Sequence, residues 1–207
     1  MIAIFQHGNT KDMEYLKAEI ATVAARMVVE EGLDYGAAKR RALKQLGLTS
    51  SRAALPDNTQ LERAVQEYIA IFCADTQASE LRTLRLLGLA WMERLEPFRP
   101  YICGAVWHGT ATRHSDIYLE LFCDDPKSAE MGLIDRNIAF QSRTVPNPQG
   151  KAKVIDALSV HAFCADLDAY VGLHLLMYDY DELRTAPKTD AQGRNLRGNA
   201  MALRKLL

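Results

Sequence analysis

One stretch of the chain gathers residue types that chemistry uses, at spacings that chemistry needs. It reads Cys103-Gly104-Ala105-Val106-Trp107-His108-Gly109-Thr110-Ala111-Thr112-Arg113-His114-Ser115-Asp116-Ile117-Tyr118-Leu119-Glu120. An apolar, β-forming run meets a glycine-containing loop, and a second apolar run then begins with a carboxylate. Glycines let a backbone approach a phosphate closely, and loop amides bind anionic oxygens. A carboxylate at the start of the next strand is placed to hold a divalent metal that bridges those phosphates. Chemistry of this kind works by positioning and charge neutralisation. The loop Gly104 to Thr112 is the candidate phosphate cradle, and Asp116 the principal candidate metal ligand.

The same stretch resembles the signature of the nucleotidyltransferase superfamily, the DNA-polymerase-beta-like group. Its small members read G-S-x-x-x-G and then S-D-I-D-L. Gly104 and Gly109 match the two glycines, Ser115-Asp116-Ile117 the S-D-I, and Leu119 the final leucine. The resemblance implies a nucleotide- and phosphate-binding set of Gly104, Gly109, Thr110 and Ser115. It also implies nucleotidyl transfer from a nucleoside triphosphate with Mg2+ as cofactor, and a third carboxylate on a later strand. Asp156, within Val154-Ile155-Asp156-Ala157-Leu158, suits that role. Two positions depart from the signature. Ala105 replaces the serine hydroxyl that would touch phosphate, and Tyr118 replaces the second aspartate of D-x-D. A neutral phenol is a poor magnesium ligand at neutral pH. Glu120 lies on the same strand face two residues further on, about 6.6 Å along the strand. Asp116, Glu120 and Asp156 are therefore the candidate catalytic and metal-ligating residues.

Three functional readings follow. The first is a nucleotidyltransferase-fold protein that binds nucleotide and is degenerate in catalysis. The second is an active metal-dependent transferase moving a nucleotidyl group to an unknown acceptor. The third is an adaptor for nucleic acid or protein, working through the basic cluster Lys39, Arg40, Arg41 and Lys44, with Arg52 nearby. Each feature also has a plainer reading. Asp116 suits a turn carboxylate, Asp156 a solvated strand position, and the basic cluster a solvated helix surface. His161 and His174 fall on predicted strands and suit packed core positions, and His108 and His114 suit an exposed loop. No histidine pair has zinc-site spacing. Arg197 and Arg204, seven apart, would align on a helix, which would let one reach toward the phosphate loop.

The elements that must position these residues change character along the chain. From Lys11 to Glu31, Met13, Leu16, Ile20, Ala24, Met27 and Val28 recur at helical spacing. Asp34 looks like an N-cap for a helix through Leu46, with Gly47 just past its end. Pro56-Asp57-Asn58 opens a third helix, and Ser79 a fourth that stops near Pro97 and Pro100. Beyond Pro100 the pattern predicts strands at Tyr101 to Trp107, from Ile117, at Ala139 to Val145, Val154 to Phe163 and Tyr170 to Tyr178. A helix is predicted over Pro126 to Asn137, a turn at Asn147-Pro148-Gln149-Gly150, and a closing helix from Asn195 to Leu207. The order predicts an α+β architecture: a helical region, residues 1–98, packed on a nucleotidyltransferase-like mixed β-sheet domain, residues 99–207.

Composition bounds the rest. The chain has 207 residues, 48% of them hydrophobic, and a net charge of −1. That supports an ordinary core and lacks the large positive balance of a dedicated nucleic-acid binder. Four cysteines without a C-x-x-C pair read as reduced, mostly buried thiols in a cytoplasmic protein. No apolar run reaches the ~18 residues that a membrane span needs, and no membrane partner is expected. Trp91, Met92 and Trp107 read as core.

Overall fold

The computed structural model describes residues 7–48, 55–147, 154–185, 189–190 and 193–207. The expected turn at 147–150 therefore lies largely outside the described residues, and Arg52 wholly so. The chain divides into two compact units, Met1–Gln77 and Ala78–Leu207. The architecture is α+β, as the sequence predicts.

The first unit is built from α1 (His7–Glu31), α2 (Tyr35–Gln45) and α3 (Asn58–Phe72). Local chemistry sets their starts. The Asp34 carboxylate accepts from the Ala37 amide at 2.8 Å. Asp57 and Gln60 form a reciprocal capping box, with bonds of 2.7 and 2.9 Å. The apolar stripes of the three helices then converge on Ile20, Ala24, Met27, Ala38, Ala42, Leu61 and Val65, all buried.

The second unit holds α4 (Gln77–Arg94), β1 (Tyr101–Cys103), α5 (Gly104–His108), β2 (Ile117–Cys123), α6 (Pro126–Ile134), β3 (Gln141–Pro146), β4 (Val154–Cys164), β5 (Ala169–Asp179), α7 (Glu182–Thr185), β6 (Arg197–Gly198) and α8 (Ala200–Arg204). Its sheet runs β3-β4-β5-β2-β1-β6, with β2 parallel to β5 and every other pair antiparallel. Because strand side chains alternate, one face carries Ile117, Leu119, Leu121, Leu158, Val160, Leu173, Leu175 and Met177. That face is covered by Leu84, Trp91 and Met92 of α4, by Ala129 and Leu133 of α6, and by Leu203 of α8. Leu183 of α7 packs against the other face. One end of it is a small core of Phe122, Ile155 and Tyr178, and the exposed rings of Phe163 and Tyr170 meet at the other.

Several boundaries differ from the sequence expectation. The division between units falls after Gln77, not near residue 98, because the buried residues of α4 join the core of the sheet. The helix begins at Gln77, so Ser79 lies inside it and does not cap it. The apolar run after Pro100 stops being a strand at Cys103. Gly104 has φ 68° and turns the chain directly into α5, which ends on Gly109 in the left-handed region at φ 88°. These two positive dihedrals need glycine. The segment from Asn195 is not one helix. Arg197 and Gly198 pair with Cys103 and Ile102 as an edge strand, and Asn199 then caps the short α8.

Candidate functional site

The open face of the sheet brings together residues that lie far apart in the chain. Strand register aligns Ser159 of β4, His174 of β5, Tyr118 of β2 and Cys103 of β1 in one row. In the next row His161 lies opposite Gly172, and the carboxylate of Asp116 sits over that glycine. The Gly172 amide donates to Asp116 Oδ1 at 3.2 Å. A Cβ on Gly172 would stand 2.5 Å from that same oxygen, so the bare backbone here makes room for the carboxylate.

The other oxygen of Asp116 is held by His174, whose Nε2 lies 2.9 Å from Oδ2. With the ring proton on Nε2, Nδ1 accepts from the Ser159 hydroxyl at 3.0 Å. Tyr118 lies tilted on the His174 ring, with centroids 4.7 Å apart, and fixes its plane. The chain Ser159–His174–Asp116 has the connectivity of a nucleophile–base–carboxylate relay, but its exposure runs the wrong way. The Asp116 side chain is 42% exposed and His174 is 14% exposed. In a nucleophilic relay the carboxylate is the buried end. Here the carboxylate is the open end, and the histidine orients it.

His174 is the first reason that the Asp116 carboxyl is held below the usual aspartate range. Burial opposes it, and the Gly172 amide and His161 add to it. A carboxyl whose folded-state value is depressed contributes stability above its unfolded value, and the contribution is lost as pH falls through the folded-state value. The melting temperature of wild type should therefore fall more steeply than that of Asp116→Asn below the ordinary aspartate range. Parallel curves across that acid window would show that His174 and Asp116 are not coupled.

The other expected carboxylates are elsewhere. Glu120 shares the strand face of Asp116 and Tyr118, but its side chain is only 2% exposed and is bonded to Arg197 Nη1 at 3.0 Å. The Arg197 guanidinium lies over the rings of Tyr101 and Phe122, at 5.6 and 5.0 Å from their centroids. Burial pushes the Glu120 carboxyl up while Arg197 opposes it. The aligned helical pair Arg197 and Arg204 does not form: Arg197 belongs to β6, and Arg204 pairs with Glu93 at 2.6 Å. Asp156 shares the strand face of Leu158 and Val160, which places it on the opposite face from Asp116. There it is exposed and opposite Thr144. Asp116, Glu120 and Asp156 are thus not gathered at one point. Among the described residues no group of three or more His, Cys, Asp or Glu is placed to hold a metal ion. The three candidate carboxylates, as the described residues place them, do not fit a two-magnesium site.

The expected phosphate cradle is also differently employed. The Gly109 and Thr110 amides both donate to the Ala105 carbonyl, at 2.9 and 3.0 Å, and so close the end of α5. The Ser115 hydroxyl accepts from the Thr112 amide at 3.0 Å inside a tight turn. Gly104 faces the Tyr118 ring. In the first unit the basic cluster is partly consumed: Arg41 pairs with Glu31, and Lys39 donates to Asn58 at 2.8 Å. Arg40 and Lys44 are exposed. The four cysteines are free thiols, Cys123 and Cys164 buried, and burial pushes the Cys123 thiol up to about 11. No described helix is long and apolar enough to cross a membrane.

Sequence reasoning missed His174 as the partner of Asp116 and Arg197 as the partner of Glu120. The bonds span 58 and 77 residues, and no local spacing announces them. The alternation of Tyr170, Gly172, His174 and Leu176 along one face of β5 is the signal that was available.

No family model matches the chain, and no curated protein matches it. Parts of it are similar to solved structures at low values. A structure of Cid1 in complex with the UTP analogue UMPNPP is 16% identical, with a TM-score of 0.32, over 50% of this chain and 31% of that one. A structure of Cid1 with its short product ApU is 17% identical, with a TM-score of 0.33, over 53% and 32%. A structure of a cytoplasmic RNA terminal U-transferase is 18% identical, with a TM-score of 0.31, over 50% and 31%. The chain spans about a third of the length of the solved structures that it matches.

Proposed function

We propose that residues 78–207 form a nucleotidyltransferase-like domain that binds nucleotide and has lost the carboxylate set for metal-dependent transfer. The observation that carries this reading is the fate of the three carboxylates. Asp116 is clamped by His174 and the Gly172 amide, Glu120 is locked in a buried pair with Arg197, and Asp156 is on the other face. A transferase of this class needs several carboxylates at one point to hold its magnesium ions. What remains in place is the strand–glycine–helix turn at Gly104 and an open polar face beside it, a site for binding rather than for turnover.

The test is thermal shift with a panel of nucleoside triphosphates, with and without Mg2+ or Mn2+, on wild type and Asp116→Ala. Stabilisation that needs no metal, with no pyrophosphate released, is the expected result. Metal-dependent pyrophosphate release that Asp116→Ala abolishes would instead establish an active transferase. No shift with any nucleotide would overturn nucleotide binding. The variant Tyr118→Asp probes the same reading from the other side. It returns a second carboxylate to the face of Asp116, two residues along. It should gain Mn2+ stabilisation that wild type lacks, and a flat metal titration would count against descent from a metal site.

A further inference from the structure

At the β6 edge of the sheet a cavity of about 450 Å³ opens between the strands, α7 and α8. Tyr101, Trp107, Arg184, Arg197, Asn199 and Ala202 line it, and none of Asp116, Tyr118, Ser159 or His174 does. Its size falls in the range of small-molecule sites, roughly 300–1,000 Å³, and its mixture of aromatic walls with a few polar groups is that of such sites. We propose that it binds a small planar aromatic anion, and that this site is separate from the one at Asp116.

The two aromatic walls are held by contacts within the protein. The Trp107 indole N–H donates to the Asn195 carbonyl at 2.7 Å, and its six-membered ring packs against the bare backbone of Gly198. Tyr101 is held edge-on to Phe122, with centroids 5.7 Å apart, and under the Arg197 guanidinium. Fixed rings give a ligand contact area at little cost in lost motion. Charge gives the sign of the ligand. The described lining holds two arginines and no carboxylate. Glu120 neutralises Arg197 from within the sheet, so Arg184, exposed on α7, sets the net charge of the recess. Asn199 spends its side-chain oxygen on capping α8, where it accepts from Ala202 at 2.8 Å, and keeps its amide donors. A ring against Tyr101 and Trp107, with a carboxylate or phosphate toward Arg184, uses all of these groups.

The chain has two tryptophans, so two indole N–H signals report on it, and loss of one in Trp91→Phe assigns the other to Trp107. The full chain is titrated with 4-hydroxybenzoate, phenyl phosphate, phenol and cyclohexanecarboxylate. The two aromatic anions should move the Trp107 signal saturably, and the stronger of them identifies the head group. Phenol and cyclohexanecarboxylate should bind at least tenfold more weakly, and Arg184→Glu should weaken the anions by a similar factor. Asp116→Asn should leave them unchanged. No saturable shift with either anion would overturn the proposal. Equal binding of phenol or cyclohexanecarboxylate would do the same, because it removes either the charge or the ring from recognition.

Discussion

Replacing Glu120 by alanine should cost the sheet unit about 3–5 kcal/mol, because it removes the carboxylate that faces the Arg197 guanidinium, whose side chain is only 6% exposed. For a chain of this size that is a fall of roughly 10 °C in melting temperature. The double variant Glu120→Met with Arg197→Met should recover most of the loss, since both charges are then removed from the sheet. Urea unfolding followed by far-UV circular dichroism measures all three proteins. The experiment also separates two roles for the same residue. A metal ligand at position 120 would leave stability near wild type when removed and change only metal affinity. A loss below about 1 kcal/mol would therefore return Glu120 to the list of candidate ligands.

Gly198→Ala is the second substitution with a large expected effect. The added Cβ would stand 2.2 and 2.3 Å from Cζ3 and Cη2 of Trp107, so the indole must move, and with it the bond to Asn195 and the wall of the cavity. Overpacking of this kind costs about 1–3 kcal/mol, and backbone on one side with a ring on the other puts this case at the upper end. The near-UV dichroism of tryptophan should change along with the melting temperature. Trp107→Leu combined with Gly198→Ala should be closer to Trp107→Leu alone than the sum of the separate effects, because the clash no longer exists. Additive losses would mean that the strand, and not the ring, resists the change.

The helices of the first unit and the strands of the second could be read from the chain because their signals are local. Asp34 and Asp57 announce helix starts through contacts three residues away, and Ile117, Leu119 and Leu121 announce a buried face by alternation. The candidate site was legible only as far as Asp116 and its face. Its partners His174, Gly172 and Ser159 arrive through the pairing of β2 with β5 and of β5 with β4, and pairing register leaves no mark within either segment. Asp156 was misplaced by a single step of alternation: Ile155 and Ala157 share the open face and Asp156 does not. The helix expected at 195–207 failed because the pairing of Arg197 with Cys103 outweighs helical spacing over so short a stretch.

The parallel pairing of β2 with β5 also has a consequence in time. Ile117 aligns with Leu173, and the chain between them must first traverse α6, β3 and β4. The β4–β5 hairpin closes through a short turn and needs no distant partner, so its register from Ala157–Leu176 to Cys164–Ala169 can be set early. β2 then docks onto the exposed edge of β5 at the entropic expense of a long closed loop. Folding of this unit should be limited by that docking step, and substitutions in β2 should slow refolding more than those at the β4–β5 turn. On that order the arrangement that orients Asp116 assembles after the β4–β5 hairpin, and until then the β5 edge stays uncovered.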